Sequence, residues 1–556
     1  MSSRMTGAKF IAETIKGYGV THVFFVEAIL RNTLVEMEAL GIKRVLTHSE
    51  KTAAYMADGY AKVSRRPGVC MCQSVGAANM ASGLQDPYLG RTPVIALTGR
   101  QLPVNMYRNA YQEISHMPLF EPVTKFNASV ESIAQLPYML RQAFREATSG
   151  VPRPVHLDLV GGKQADVMEC AEADMEVIVD KAFTQYPAMR PEPDQSAVQE
   201  ALQMLSEAQR PVIVAGGGAR ASSAGPEIVE LAEKLQIPVA TSPNGKGIIL
   251  EDHPLSLGVV GRYSRWCANQ AVREADLVLF MGSNTGDTVT NGWTVPNSGT
   301  PIIQIDIDPS ELGRSYPNTL AIMADTKKAV RRLIESMKIQ SPRIPWAKRA
   351  QQLVQDWKAE CEPLRNSDAI PLRVERICKE LTENLPTNAI LVADTGFSSV
   401  WTGTMVPLTH PGQTYIRCSG SLGWGFPASI GAKCGAPDRP VICFTGDGGF
   451  YYHLSELETA RRCGINTVTI VNNNSALGQC WVTIKEIYKD KPTAKEMCLF
   501  SSVNFAMLAE SLGCMGIRVE RPEEFAPALN RALKADRPAV IEVITDPTCK
   551  APDAGH

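Results

Sequence analysis

Val441-Ile442-Cys443-Phe444-Thr445-Gly446-Asp447-Gly448-Gly449 and, further on, Thr467-Val468-Thr469-Ile470-Val471-Asn472-Asn473-Asn474-Ser475-Ala476-Leu477-Gly478 decide the fold. Each is a short apolar run, which reads as a strand, ending in a turn built from glycine or asparagine. Between them Leu454, Leu457, Ala460 and Cys463 recur every third residue, the mark of a helix that crosses from one parallel strand to the next. The unit is βαβ, and both turns face one crevice at the carboxyl ends of the strands, where open α/β sheets hold ligands. Glycines there (Gly446, Gly448, Gly449, Gly478) let backbone N–H groups approach a phosphate. A carboxylate, an amide oxygen and a backbone carbonyl together suit a hard, six-coordinate cation such as Mg2+ that keeps phosphate oxygens as its other ligands. Asp447, Asn474 and the carbonyl of Ala476 supply that set.

A chain of 556 residues is too long for one core, and three domains of about 150 to 200 residues are expected. The net charge of -2, with both signs spread along the chain, leaves no electrostatic footprint for nucleic acid or an acidic membrane. The expected partner is a small molecule. The 14 cysteines are scattered, and the closest pair, Cys70 and Cys72, lacks a second pair at zinc-ligand spacing. With no secretory signal and no long apolar run, the chain reads as a cytoplasmic protein with reduced thiols.

Taken in order, apolar segments at 22–26, 45–48, 69–72, 94–98 and 155–159 alternate with helical patterns, as in a doubly wound parallel sheet. A Pro-rich passage at 186–193 ends this part. A second α/β segment carries strands at 212–215, 277–281 and 302–307. A third opens near Pro371, with a strand at 389–393 before the two already quoted. The fold class is α/β, with three doubly wound parallel-sheet domains at 1–180, 190–340 and 365–550. In the central one, Gly216-Gly217-Gly218-Ala219-Arg220-Ala221 follows a strand and forms a loose dinucleotide fingerprint, which is weak alone. The next strand, 237–242, ends without the acidic residue that holds a ribose hydroxyl, so a nicotinamide dehydrogenase is disfavoured.

The GDG turn followed by the asparagine pair resembles the signature of thiamine-diphosphate enzymes, and the three-part layout is similar, over essentially the whole chain, to their acetolactate synthase and pyruvate oxidase branch. The resemblance implies a pyrimidine-binding, a central and a diphosphate-binding domain. In the first, Glu50, within the stretch His48-Ser49-Glu50-Lys51-Thr52-Ala53-Ala54-Tyr55, falls where the family has its activating carboxylate. An acid beside the pyrimidine N1′ promotes the imino tautomer, whose N4′ takes the thiazolium C2 proton. Asn79, after Gly76, resembles the family's pyrimidine-pocket asparagine, and Gln112, in Tyr111-Gln112-Glu113, a residue that reaches the reacting centre. In the third domain, the run Asp394-Thr395-Gly396-Phe397-Ser398 resembles the first diphosphate loop, whose Gly396 and Phe397 amides and Ser398 hydroxyl would hold the terminal phosphate. Gly420, Ser421 and Leu422 occupy the cradle: the Gly420 carbonyl accepts from N4′, the Leu422 N–H donates to N3′, and the Leu422 side chain wedges the two rings together. Leu477 and Gly478 close the metal loop.

Gln479, Cys480 and Thr483 stand where relatives shape the substrate pocket, and His116 is a further pocket residue. His453 reads as structural. Glu27, in Phe25-Val26-Glu27-Ala28, replaces a glycine-x-proline-glycine turn and is either a substrate-facing acid or a strand-end residue. Relatives use the central domain to hold FAD, ADP or nothing. The turn Gly282-Ser283-Asn284-Thr285-Gly286-Asp287 lacks the arginine of their flavin loop, which speaks against FAD. The resemblance further implies a homodimer or a dimer of dimers (a homotetramer) with active sites at the subunit interface. The activity it implies is a Mg2+-dependent carboligase or carbon–carbon lyase acting on a 2-oxo acid or related ketone. The alternatives are a 2-hydroxyacyl-CoA lyase, a 2-oxo acid decarboxylase, or a non-catalytic regulatory subunit of the same fold.

Overall fold

The computed structural model describes residues 3–338, 342–489 and 491–552. After a short β1 (Ser3–Thr6), the first domain lays down β2 (His22–Phe25), β3 (Lys43–Leu46), β4 (Gly68–Gln73), β5 (Val94–Arg100), β6 (Phe126–Val130) and β7 (Val155–Val160). β8 (Glu172–Met175) then returns antiparallel to β1. The central domain has β9 (Pro211–Ala215), β10 (Val239–Thr241), β11 (Ser256–Val259), β12 (Leu277–Met281), β13 (Ile302–Asp306) and β14 (Thr319–Met323). The third has β15 (Ile390–Ala393), β16 (Thr414–Arg417), β17 (Val441–Gly446), β18 (Val468–Asn473), β19 (Met515–Val519) and β20 (Ala539–Ile544).

Each domain holds one parallel six-stranded sheet, ordered β3-β2-β4-β5-β7-β6, β11-β10-β9-β12-β13-β14 and β16-β15-β17-β18-β20-β19. Strands such as β12 and β17 read as nearly continuous apolar runs because helices bury both faces. Counted within its domain, the first sheet has the order 2-1-3-4-6-5 and so does the third, whereas the central one has the dinucleotide-binding order 3-2-1-4-5-6. In the third sheet the winding reverses between β15 and β17, and a crevice opens at their carboxyl ends.

The first and third domains share one core, in which Phe24, Met56 and Tyr60 meet Val392, Trp424 and Ile430. At its centre the helix Glu50–Ser64 crosses the helix Gly425–Gly435. A Cβ on Gly431 would collide with the Met56 carbonyl, and one on Gly59 with the Ala428 carbonyl, so only glycine permits this backbone approach. The central domain grips the third through a buried cluster. Lys246 Nζ donates to Glu251 and, at 3.1 Å, to the Gly403 carbonyl. Arg265 donates to Glu251 at 2.5 Å and to the Thr404 carbonyl at 2.9 Å. These carbonyls end the helix Phe397–Met405, where cations are favoured. Its other end borders the crevice.

Candidate cofactor and active site

The crevice collects the sequence-predicted diphosphate and metal residues of the third domain. Asp447 is buried at the start of the helix Asp447–Tyr451, and its carboxylate accepts the Gly448 amide at 2.9 Å and the Ala476 amide at 3.0 Å. Among the described residues, no cationic side chain pairs with it. Burial alone pushes its pKa up to about 7, which a bound cation would reverse. Of the three asparagines, two serve the fold: Asn472 accepts from Thr545 Oγ1 at 2.6 Å and Asn473 donates to the buried Glu542 at 2.7 Å. Asn474 Oδ1 instead accepts the Ala476 amide at 3.1 Å, folding the loop 474–478 back on Asp447. Leu477 lies over Gly448, and the Gly478 backbone faces the Asn474 amide.

The same cluster includes the other loop. Gly396 precedes the helix Phe397–Met405, so the amides of Gly396 and Phe397 and the buried Ser398 sit at a helix N-terminus, which attracts anions. The Ser398 hydroxyl is 3.8 Å from the place a Gly446 Cβ would take, and Gln479 Oε1 is 3.0 Å from the same point on Gly396. Gly420 is exposed, with nothing within 4 Å of where its Cβ would be, and Leu422 is half-buried above the core.

One buried group organises these turns, a role that the sequence, which placed it only in the first diphosphate loop, did not disclose. Asp394, at the end of β15, accepts from Thr395 N (2.7 Å), Gly423 N (3.1 Å), Gly425 N (3.2 Å) and Thr445 Oγ1 (3.1 Å). It thereby ties the loops after β15 and β16 to the end of β17. Burial raises its pKa to about 6 against the pull of those donors. The only local sign was an acid ending a strand.

In the first domain, Ser49 caps the helix that Glu50 begins. Glu50 accepts from Asn79 Nδ2 at 3.1 Å, and a Cβ on Gly76 would come within 2.5 Å of Glu50 Oε1. Gly76 is glycine because the carboxylate lies against it. The preceding turn is pinned to the third domain by the fully buried Glu456, which accepts from His48 N (3.0 Å), Thr52 Oγ1 (2.6 Å) and Thr459 Oγ1 (2.6 Å). Gln112 has a left-handed backbone (φ 63°), its carbonyl accepts from Ser74 Oγ, and its side-chain Oε1 is buried without a partner. Among the described residues, no hydrogen bond or ion pair joins Glu50, Asn79 or Gln112 to the Asp447 cluster.

Glu27 is exposed and bonded to Arg31 Nε at 2.6 Å, which holds its carboxyl below the usual range. Its turn is strained: Ala28 (φ 82°) and Leu30 (φ 48°) are both left-handed. His116 is fully enclosed, with Nδ1 2.8 Å from Asp158 and 3.2 Å from Thr98. Cys480 and Thr483 are exposed with Gln479 on the helix Gly478–Tyr488, which buries none of its residues.

His453 is buried, its Nε2 has no partner, and its ring meets Tyr55 edge-on at 5.8 Å. Burial pushes its pKa down to about 4, so the neutral form is the folded one. The stability this contributes is present above pH ~6.5 and lost as pH falls towards ~4. In urea titrations the stability of wild type relative to His453→Asn should therefore drop by up to about 3 kcal/mol across that window. A pH-independent difference would contradict the assignment.

A separate cavity of about 190 Å3 lies at the carboxyl ends of β9, β10, β12 and β13, lined by Gly217, Gly218, Gly282 and Asp306 and by Arg65, Arg91, Arg220 and Arg417. Among the described residues, no helix is long and apolar enough to cross a membrane.

Three family models match the chain: thiamine pyrophosphate enzyme N-terminal TPP binding domain at residues 5–119, central domain at 198–333, and C-terminal TPP binding domain at 394–543. The chain is 34% identical to the probable acetolactate synthase large subunit of Methanocaldococcus jannaschii, over 98% of its own length and 92% of that protein's. It is 31% identical to the acetolactate synthase isozyme 1 large subunit of Escherichia coli, over 98% and 94%. With the acetolactate synthase large subunit of Lactococcus lactis it shares 30% identity, over 97% and 92%.

Proposed function

The chain belongs to the thiamine pyrophosphate enzyme family, and from that premise we propose that it is a carboligase or carbon–carbon lyase of the acetolactate synthase type. It uses thiamine diphosphate with Mg2+ on a 2-oxo acid or a related ketone. The observation that carries this reading is the convergence of Asp447, Asn474 and Ala476 on the N-terminus of the helix Phe397–Met405. The residues fit the group. A buried carboxylate without a cation, an amide oxygen and a carbonyl form a magnesium donor set, and the open space at Gly420 leaves room for a ring.

Bound thiamine diphosphate supplies a carbon acid that adds to a carbonyl and stores the electron pair freed on carbon–carbon cleavage. Asp447, Asn474 and the Ala476 carbonyl hold the cation. The amides of Gly396 and Phe397 and the Ser398 hydroxyl hold the terminal phosphate. Leu422 props the rings, the Gly420 carbonyl accepts from the amino group, and Glu50 holds a proton at N1′. Gln112 faces the substrate side, with Gln479, Cys480 and Thr483 at the entrance.

As the family resemblance implies, we further propose that the complete site forms between two copies, Glu50 coming from one and the Asp447 cluster from the other. The arginine-rich central cavity, on a sheet with the dinucleotide-binding order, is assigned to an ADP-containing ligand. Asn284, in the turn that lacks the flavin-loop arginine, lines it, so ADP is favoured over FAD. That same cavity gives 2-hydroxyacyl-CoA cleavage its support as a second reading, since CoA also carries an ADP moiety. Fourteen free thiols suit a reducing cytoplasm.

The test is direct. Protein loaded with thiamine diphosphate and Mg2+ should release CO2 from pyruvate and form acetolactate. Inertness towards pyruvate, glyoxylate and benzoylformate, with cleavage of a 2-hydroxyacyl-CoA, would select the second reading. Inertness towards all of them would leave the regulatory-subunit reading standing.

A further inference from the structure

Alternate backbone amides of the segment 419–425 donate to two buried carboxylates. Gly423 N and Gly425 N go to Asp394, as described above. Ser419 N lies 2.9 and 3.0 Å from the two oxygens of Asp86, and Ser421 N lies 3.1 Å from Asp86 Oδ2. Asp394 is local to the third domain, but Asp86 belongs to the helix Gly76–Leu89 of the first domain and is fully buried. A neighbouring contact repeats the arrangement: Asp58, also buried and from the first domain, accepts from Trp424 Nε1 at 2.9 Å and from Lys62 Nζ at 2.5 Å. The first domain thus holds residues 419, 421 and 424 from one side.

The consequence lies in the peptide plane between Gly420 and Ser421. In a trans peptide the carbonyl of one residue and the N–H of the next point in opposite directions. Anchoring Ser421 N–H on Asp86 therefore fixes the direction of the Gly420 carbonyl, the acceptor assigned above to the cofactor's amino group. Gly420 has no side chain to steer it and open space around it, so without that anchor the plane is free to rotate.

We propose that Asp86 is a positioning residue, which acts across the domain boundary to aim the Gly420 carbonyl at the 4′-amino group of thiamine diphosphate. The inference rests on the cofactor reading given above. A merely structural Asp86 would weaken every ligand of the crevice equally. A positioning Asp86 matters only for a ligand that has an amino group to offer.

The experiment compares Mg2+-assisted binding of thiamine diphosphate and of oxythiamine diphosphate, in which an oxygen replaces the 4′-amino group, by calorimetry on the full-length protein. Asp86→Ala should bind thiamine diphosphate at least about tenfold more weakly, the worth of a buried hydrogen bond. It should bind oxythiamine diphosphate within about twofold of wild type, so that the preference for the amino compound collapses. Asp86→Asn, which keeps the volume and one acceptor oxygen, should fall between the two and serves if the alanine variant does not fold. Amide hydrogen exchange of the segment 419–422 in the cofactor-free protein should rise in both variants. Equal weakening of both ligands, or an unchanged preference, overturns the proposal. Wild type that binds neither compound overturns the cofactor reading instead.

Discussion

Glu50→Gln should leave thiamine diphosphate and Mg2+ bound within about threefold of wild type while turnover falls by roughly 10²- to 10⁴-fold, the range that a positioned acid–base group contributes. The substitution is isosteric and keeps an oxygen to accept from Asn79 Nδ2. It also keeps a short enough side chain to lie against Gly76. What it removes is a group that exchanges a proton with N1′. Because the loss falls on turnover and not on binding, a calorimetric cofactor titration beside a steady-state assay separates the two. Full turnover with cofactor bound would show that activation does not pass through Glu50.

The second large effect is expected at Asp447. Asp447→Asn should weaken Mg2+-assisted uptake of thiamine diphosphate by about a hundredfold or more. Loss of a group that merely supports a metal ligand already costs about 10- to 100-fold, and a ligand itself costs more. The asparagine keeps the side chain's size and one of the two oxygens that accept the Gly448 and Ala476 amides, so the far-UV circular dichroism of the whole chain should be unchanged while the magnesium dependence of binding disappears. Retained magnesium dependence would remove Asp447 from the metal shell and with it the observation on which the function rests.

Together the two variants test the shared site. Mixed and allowed to exchange subunits, two inactive proteins should regain about a quarter of wild-type turnover, since random pairing makes half the dimers heterodimers and each of those has one intact site of two. If one chain holds both halves of a site, the mixture stays inactive.

Much of this was legible in the sequence because it is local. The glycine and asparagine turns follow short, mainly apolar runs, β17 and β18, that are buried up to the turn, and such runs mark fully buried parallel strands. The strands that periodicity did not mark include β6, β11, β14, β16 and β19, and each of these lies at the edge of its sheet. In β6, β14 and β19 most residues are partly buried or exposed, which dilutes the apolar signal. Asp86 and Glu456 escaped notice, and the organising role of Asp394 with them, for a different reason. Their donors lie far away in the chain, Ser419 for Asp86 and His48 for Glu456, and no local pattern encodes such a bond. Glu27 shows the converse: the sequence posed it as a choice between an acid facing substrate and a strand-end residue, and the structure pairs it with Arg31 four residues on.

The first and third sheets have the same winding, and the second strand of each leads into a functional loop: β3 into His48–Glu50 and β16 into Gly420–Leu422. The helices that follow, Glu50–Ser64 and Gly425–Gly435, are the two that cross glycine to carbonyl in the shared core. Within one chain two castings of one mould thus lie face to face, and under the two-copy assignment the loop each carries would serve a different cofactor. A change in how those castings abut would therefore reach two sites at once, so substitutions in the crossing helices, far from any reacting atom, belong among those expected to tune the chemistry.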